Sequence, residues 1–326
     1  MKIVESKNWS RYRSAWEECM QNYYWYRDNP VFDWNKLEEL NEMEREFTNP
    51  GLVFLEAHQE GETVGICGLR FRGKEAVLRR WEPAALEIAN KSETERALLD
   101  YGLNYLSKRG VDRVKALVKY PFNDRGVANN LLELYRNAGF ERYEPDSVDL
   151  ILKLDDAPDP IRDRANITID PHLGMDSENI AKYVIRAYAS TPEDKEIHEH
   201  DASVSDYDTA LASFDSIRRG RLGPSPSEFW KVALVDNMPA GFIGAFIRES
   251  NFKPVTGILG PLGVFPEYRR LGIGTYLISE QFKSLRDYGC VYAAVGTPAA
   301  NKNAIAMYEK ACYKLNCYLV HLEKVF

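Results

Sequence analysis

The chain has 326 residues, of which 44% are hydrophobic and 28% charged, the composition of a soluble globular protein long enough for two domains. Its formal net charge of −7, from 42 basic and 49 acidic residues, argues against a nucleic-acid-binding protein, which needs a broad basic surface. No apolar stretch approaches the ~20 residues that cross a bilayer, and the first residues do not form a secretory signal, so we expect no membrane association. Five cysteines without a C-x-x-C pair are typical of a reducing compartment, which predicts a cytoplasmic protein.

The first half of the sequence predicts a mixed series of helices and strands. In chain order these are an aromatic-rich helical region over 9–47, a hairpin of Val53–Ala57 and Val64–Gly68, a helix over Ser92–Lys108, a strand over Val114–Pro121, a helix ending in Leu134–Phe140 and a strand over Val148–Leu154. A Gly-Glu turn between two apolar runs predicts the hairpin, and a capping box of Ser92 with Glu95 begins the helix. The early aromatic side chains are interpreted either as core or as a flat wall for a bulky substrate.

The second half predicts the same elements in the same order. They are helices within Tyr183–Leu222, a hairpin of Trp230–Leu234 and Ala240–Gly244, a strand over Ile258–Phe265, a helix over Thr275–Tyr288, a strand over Val291–Pro298, a helix ending in Met307–Tyr313 and a strand over Tyr318–Val325. A linker rich in proline and charge, Asp155–Pro160, separates the halves. The sequence therefore predicts a tandem duplication of an α+β fold with a mixed α/β sheet, as domains 1–156 and 157–326.

One segment of the second half predicts an anion-binding turn. The apolar strand runs into a turn that contains Gly272 and Gly274, and the turn opens an amphipathic helix. The first N–H groups of a helix have no intrahelical partner, and the helix dipole adds positive charge to that of Arg269 and Arg270. A P-loop is excluded because no Gly-Lys-Ser/Thr follows, and a Rossmann turn because Leu277 stands at the third glycine position.

The spacing of Arg269, Gly272 and Gly274 resembles the Arg/Gln-x-x-Gly-x-Gly/Ala motif of the GCN5-related N-acetyltransferase (GNAT) superfamily. A second motif that resembles this family follows from Asn301 to Lys310 and ends in Cys-Tyr in place of the usual Gly-Phe. The first half resembles the family only in the order of its predicted elements and lacks the anion-binding motif, because residues 84–101 contain no glycine and two glutamates stand near the turn. The resemblance implies two tandem acyl-CoA N-acyltransferase-like domains, a degenerate one over 1–156 and a catalytic one over 157–326.

The family resemblance implies an acyltransferase that moves an acetyl group from acetyl-CoA to an amine, with no metal. The residues it implies for binding the donor are Leu262, Gly263, Val264, Arg269, Arg270, Leu271, Gly272, Ile273, Gly274, Thr275, Asn301, Lys302 and Tyr308. Within that set, a backbone N–H near Leu262–Val264 polarises the thioester, Asn301 orients the pantetheine arm, and Tyr308 protonates the departing thiolate. Tyr308 is alternatively a core aromatic residue, since Tyr135 fills the same position in the first half.

The sequence does not identify a single general base or a single acceptor. Candidates for the base are Glu249, which we assign provisionally, and Glu228, His198, His200, a water molecule or the carboxylate of Phe326. Residues 190–215 carry eight acidic residues against one lysine, and the remainder of the chain is balanced. This segment is either a solvated loop or an electrostatic guide for a cationic small molecule or peptide. Alternative functions are an acetyltransferase for antibiotic self-resistance and a non-catalytic sensor that binds acyl-CoA.

Overall fold

The fold is described from a computed structural model. It describes residues 1–21, 40–47, 49, 51–78, 83–86, 90–121, 126–161, 166–170, 176–199, 201, 204, 206–250 and 253–326, with the backbone alone at 20–21, 121, 126–128, 249–250 and 253–254. Residues 22–39 of the predicted aromatic region and most of residues 79–89 lie outside these ranges, as does His200. Within the described part of the chain, no helix is both long and apolar enough to span a membrane.

The chain forms two compact units, one of residues 1–146 with 317–326 and one of residues 147–316. The strand predicted to close the first half is therefore part of the second unit, and the strand predicted to close the second half is part of the first unit. The division at residue 156 follows the sequence repeat and stays a prediction of domain organisation.

The first unit contains a mixed sheet with helices packed on it. Its elements are β1 (Lys2–Glu5), α1 (Trp9–Gln21), β2 (Leu52–Gln59), β3 (Glu62–Arg72), β4 (Glu75–Val77), β5 (Ala84–Ala85), α2 (Lys91–Ser107), β6 (Arg113–Pro121), α3 (Gly126–Asn137), β7 (Glu141–Arg142) and most of β14 (Lys314–Val325). The strand order is β1-β2-β3-β4-β6-β14, antiparallel except for the parallel pair β4 and β6. The predicted capping box is wrong: Asn90 caps α2, because its side chain accepts from the Glu93 N–H.

The strands of the second unit show the same mixture of parallel and antiparallel pairs. Its elements are β8 (Ser147–Lys153), β9 (Ile167–Asp170), α4 (Ser177–Tyr188), α5 (Pro192–Ile197), α6 (Tyr207–Arg218), β10 (Lys231–Val235), β11 (Met238–Ser250), β12 (Lys253–Val264), α7 (Ile273–Tyr288), β13 (Tyr292–Pro298) and α8 (Lys302–Lys310). The strand order is β8-β13-β12-β11-β10-β9, and only β12 and β13 run parallel. These mixed sheets confirm the predicted fold class.

The predicted hairpins and the strand–turn–helix segment are present close to their predicted bounds. The helix predicted over Thr275–Tyr288 begins two residues earlier, at Ile273, and ends before Gly289, which has a φ of 95°. A glycine in the left-handed conformation after a helix lets backbone N–H groups bond the last carbonyls of that helix. Gly289 ends α7 in this way, as its place in the sequence predicts. Strands β1 and β9, by contrast, were not predicted, since each is only four residues long.

Candidate active site

The edge of strand β12 is open where the anion-binding turn begins. Strand β13 pairs with β12 only from Thr256 to Leu259, whereas β11 continues to pair with β12 as far as Val264. The register of the β11–β12 pair shifts between Ile243 and Ala245, which marks a bulge opposite the point where β13 departs. The last residues of β12 therefore have one hydrogen-bonding edge that no strand of the described residues covers.

The turn after β12 has the backbone geometry that the anion-binding prediction requires. Gly272 caps α7 with a φ of 79°, and Arg270 also has a positive φ, of 68°. The Tyr276 N–H bonds the Gly272 carbonyl, so the N–H groups of Ile273–Thr275 precede the first intrahelical bond and form a group of donors at the positive end of the helix dipole. Arg270 and Leu271 are exposed beside them. This arrangement suits a pyrophosphate.

Arg269, predicted to bind the donor, has its guanidinium group bonded within the protein. Its Nε donates to the Val264 carbonyl at 3.2 Å, and its Nη2 donates to the Ala187 carbonyl at 2.8 Å and to Asp194 Oδ2 at 2.9 Å. Charge-assisted bonds of this length are strong. Arg269 therefore ties the end of α4 and the short helix α5 to the end of β12.

Three other predicted donor-binding residues also have structural contacts. A Cβ atom on Gly274 would lie 2.6 Å from Met307 Sδ, so this glycine lets α8 approach the start of α7. Asn301 caps α8, because its side-chain oxygen accepts from the Ala304 N–H at 3.1 Å. The exposed Lys302 donates from Nζ to the Ala299 carbonyl. Since α8 carries Tyr308, these contacts place the candidate acid next to the turn.

Tyr308 is buried, with 5% of its surface exposed, and its ring packs edge-on against Tyr313 at 5.7 Å. Burial raises the pKa of the Tyr308 hydroxyl, because the phenolate would lose its hydration. The hydroxyl is therefore protonated at neutral pH. Burial also raises the pKa of Tyr188, and the nearby Tyr308 adds to that effect.

Tyr188 is a site residue that the sequence did not single out. Its hydroxyl donates to the Leu262 carbonyl at 2.7 Å and accepts from the Leu262 N–H at 3.2 Å. Leu262 lies beyond the last β12–β13 pair. The aromatic ring of Tyr188 stacks on that of His198, with centroids 4.2 Å apart and planes 7° apart. Nothing in the sequence distinguishes this tyrosine from the other 18, because only the fold brings its hydroxyl to the open edge.

The structure separates the candidates for the general base. The backbone of Glu249 lies near the end of β11, and its side chain lies outside the described part. Glu228 precedes β10, where its backbone carbonyl accepts from Lys231 and from Ser284, near the far end of α7. Phe326 belongs to the first unit, where its N–H bonds the Asp112 carbonyl. Of the described candidates, His198 is the one in contact with Tyr188.

In the first unit, the start of α2 carries a carboxylate in place of an anion-binding turn. Burial of the Glu95 side chain raises its pKa to about 7, whereas Lys91 and a hydrogen bond from the Ala85 backbone act in the opposite direction. A Cβ atom on Gly65 would lie 2.7 Å from Thr94 and 2.9 Å from the Ala84 carbonyl, so α2 packs closely on the sheet here. No group of three or more His, Cys, Asp or Glu residues suited to a metal occurs in the described ranges of the chain.

Residues 190–312 match the model of the acetyltransferase (GNAT) family. Over 91 residues the chain is 35% identical to an N-alpha-acetyltransferase of Saccharolobus solfataricus, a match that covers 26% of this chain and 54% of that protein. The chain thus spans about half the length of this curated relative.

Two solved structures share the fold over 99% of this chain. A GCN5-related N-acetyltransferase from Sphaerobacter thermophilus has a TM-score of 0.64 and 16% identity, with 95% of that chain covered. A tandem GNAT protein from the clavulanic acid biosynthesis pathway has a TM-score of 0.53 and 15% identity, with 98% of that chain covered. At these identities the likeness concerns the fold alone.

Proposed function

We propose that the chain belongs to the GNAT superfamily through the domain in its second unit, and that this unit transfers an acetyl group from acetyl-CoA to an amine. The observation that carries the proposal is the open edge of β12 beyond Leu259, directly before the N–H donors of Ile273–Thr275. A long, flexible donor with a pyrophosphate at one end and a thioester at the other can use both features at once.

In this proposal the backbone of the second unit binds the donor. The N–H groups of Ile273–Thr275 and the side chain of Arg270 hold the pyrophosphate, and the edge of β12 over Leu262–Val264 bonds the pantetheine arm. The Leu262 N–H donates to the carbonyl oxygen of the thioester and stabilises the negative charge that develops there. Since Tyr188 occupies this N–H in the structure, its hydroxyl has to yield the bond when the donor binds.

Tyr308 acts as the general acid in this proposal. Its protonated hydroxyl donates to the sulfur as the carbon–sulfur bond breaks. The raised pKa keeps the proton available at neutral pH, and the position of α8 against the start of α7 keeps the side chain near the donor.

The proposed acceptor is a cationic amine, on a small molecule or a peptide. Several carboxylates of the acidic segment have partners: Asp194 bonds Arg269, Asp206 caps α6 and Asp215 pairs with Arg219. Glu193 and Glu196 remain exposed on α5. An excess of negative charge on a helix that Arg269 attaches to β12 would attract a cation to the open edge. The name of the curated relative supports a peptide α-amine as one such acceptor.

The test measures thiol release from acetyl-CoA with polyamines, aminoglycosides and peptides that have a free N-terminus. We expect Leu271→Glu to abolish donor binding, because it adds a carboxylate at the anion-binding turn. Leu222→Glu is the matched control, since Leu222 and Leu271 are 55% and 50% exposed. Tight CoA binding without turnover on any amine would favour the acyl-CoA sensor, and turnover confined to aminoglycosides would favour antibiotic self-resistance. Equal CoA affinity in both variants would contradict the proposed donor site.

A further inference from the structure

We propose that His198 is the general base of the second unit, held in place by stacking on Tyr188, with the carboxylate of Asp201 nearby. The inference rests on the proposed function, because it assigns a role within acetyl transfer. It goes further in naming the group that removes the proton from the amine.

His198 lies close to the open edge of β12, where the thioester would bind. The Tyr188 hydroxyl is bonded to both backbone groups of Leu262, and the His198 ring lies flat against the Tyr188 ring at 4.2 Å. If the Leu262 N–H receives the thioester oxygen, His198 lies about one side chain away from the carbonyl carbon. An amine that approaches this carbon can reach the imidazole directly or through one water molecule, which is the geometry that a general base requires.

The imidazole of His198 is held rigidly. His198 follows α5, and its backbone N–H bonds the Asp194 carbonyl at 3.0 Å. Its Nδ1 lies 3.9 Å from Asp201 Oδ2, and the Asp201 N–H bonds the His198 carbonyl. The Arg269–Asp194 bond attaches this short helix to β12. The ring is thus fixed by stacking on its face and by the hydrogen bonds of its backbone.

Burial and the charges around His198 together set its protonation state. Tyr188 faces it from α4, Asp194 and Asp201 lie on its own segment, and Arg269 faces it from the turn after β12. Burial is the largest effect and lowers the His198 pKa, and Arg269 acts in the same direction, whereas Asp201 and Asp194 raise it. The net direction is downward, so the imidazole is neutral at physiological pH and able to accept a proton.

The reaction balances with these groups. The reacting ammonium group first releases one proton to water; the neutral amine nitrogen then attacks the thioester carbon, a C–N bond forms and the C–S bond breaks. The proton of the amine passes to His198, and Tyr308 protonates the leaving thiolate. His198 then releases its proton to water and Tyr308 recovers one from water, so the products are the amide and the free CoA thiol.

The test compares two replacements of the histidine. His198→Phe keeps an aromatic ring to stack on Tyr188, and His198→Gln keeps a polar side chain, but neither can act as a base. We expect both to lower kcat by about 10²–10⁴-fold, without weakening CoA binding, and to remove the acidic limb of the pH–rate profile. His321→Gln, a change of a half-buried histidine in the first unit, is the control.

A second variant adds a readout that a structural role would not move. Asp201→Asn removes a carboxylate that raises the His198 pKa, so the acidic limb should shift to lower pH while CoA affinity stays the same. If His198→Phe retains wild-type kcat, the histidine serves only for packing and the inference is wrong. If the wild-type protein releases no thiol with any amine, the proposed function itself fails, and the two failures are distinguishable.

Discussion

Substitution of Gly274 by alanine tests the contact that brings α8 to the anion-binding turn. The added Cβ would lie 2.6 Å from Met307 Sδ, 3.6 Å from Val264 Cγ2 and 3.8 Å from Met307 Cε. An ordinary contact begins near 3.4 Å, so the Met307 sulfur would have to move while Val264 stays in place. Overpacking of this kind typically costs about 1–3 kcal/mol.

The assay is thermal unfolding of the full chain, followed at the transition that shifts when CoA is added, because ligand binding identifies the second unit. For a unit of this size, about 1 kcal/mol corresponds to about 2–4 °C. We therefore expect Gly274→Ala to lower the midpoint by about 2–12 °C. In a Met307→Ala background the clash is absent, so the same substitution should cost close to nothing.

The double-mutant cycle also separates two roles for the glycine. If Gly274 serves only the approach of α8, the Gly274→Ala/Met307→Ala protein binds CoA as tightly as Met307→Ala does. If the loss of stability is the same in both backgrounds, the two sites are additive and the proposed steric contact is absent.

Three further predictions concern the acid, the attachment of α5 and a buried lysine. Tyr308→Phe should lower kcat by about 10–1000-fold with unchanged CoA affinity, and an unchanged kcat in steady-state assays would show that the ring is only core. Asp194→Ala should raise the KM for the amine more than that for acetyl-CoA, since it releases α5 from Arg269; an equal rise in both constants would argue against that attachment. Lys231 is buried, and its Nζ donates to three neutral acceptors, the Glu228 carbonyl, Gln281 and Ser284; burial lowers its pKa to about 8 from 10.5. At this lysine the unfolded chain therefore binds more protons than the folded one between about pH 8 and 10.5, so the contribution of Lys231 to stability should rise by about 3 kcal/mol across that window. The rise should be absent in Lys231→Met in denaturant titrations.

Local sequence patterns predicted the elements well where the signal is itself local. The hairpin of β10 and β11, the turn at Gly272 and the end of α7 at Gly289 depend on turn residues and apolar runs that stand next to each other in the chain. The start of α2 was misplaced by a competing signal of the same kind, since both Asn90 and Ser92 can cap a helix.

The contacts within the candidate site could not be predicted in this way. Tyr188 reaches Leu262, and Asp194 reaches Arg269, across more than 70 positions of sequence. Which residues become partners depends on the face that α4 presents to the sheet, and a single sequence does not reveal that face. For the same reason the sequence predicts Arg269 as an anion ligand, whereas the structure shows its guanidinium bonded to Asp194 and two carbonyls.

The membership of β14 in the first unit affects how the protein is made. On the ribosome, the first unit lacks the strand that pairs with Arg113–Pro121 until the whole of the second unit has been synthesised. Until then β6 has an open edge, which is a surface for incorrect pairing with other chains. Pairing of segments so far apart is also slow, because a long loop must close first. Expression of either half alone would therefore yield an incomplete sheet, and the first unit completes its sheet only after β14 has been synthesised.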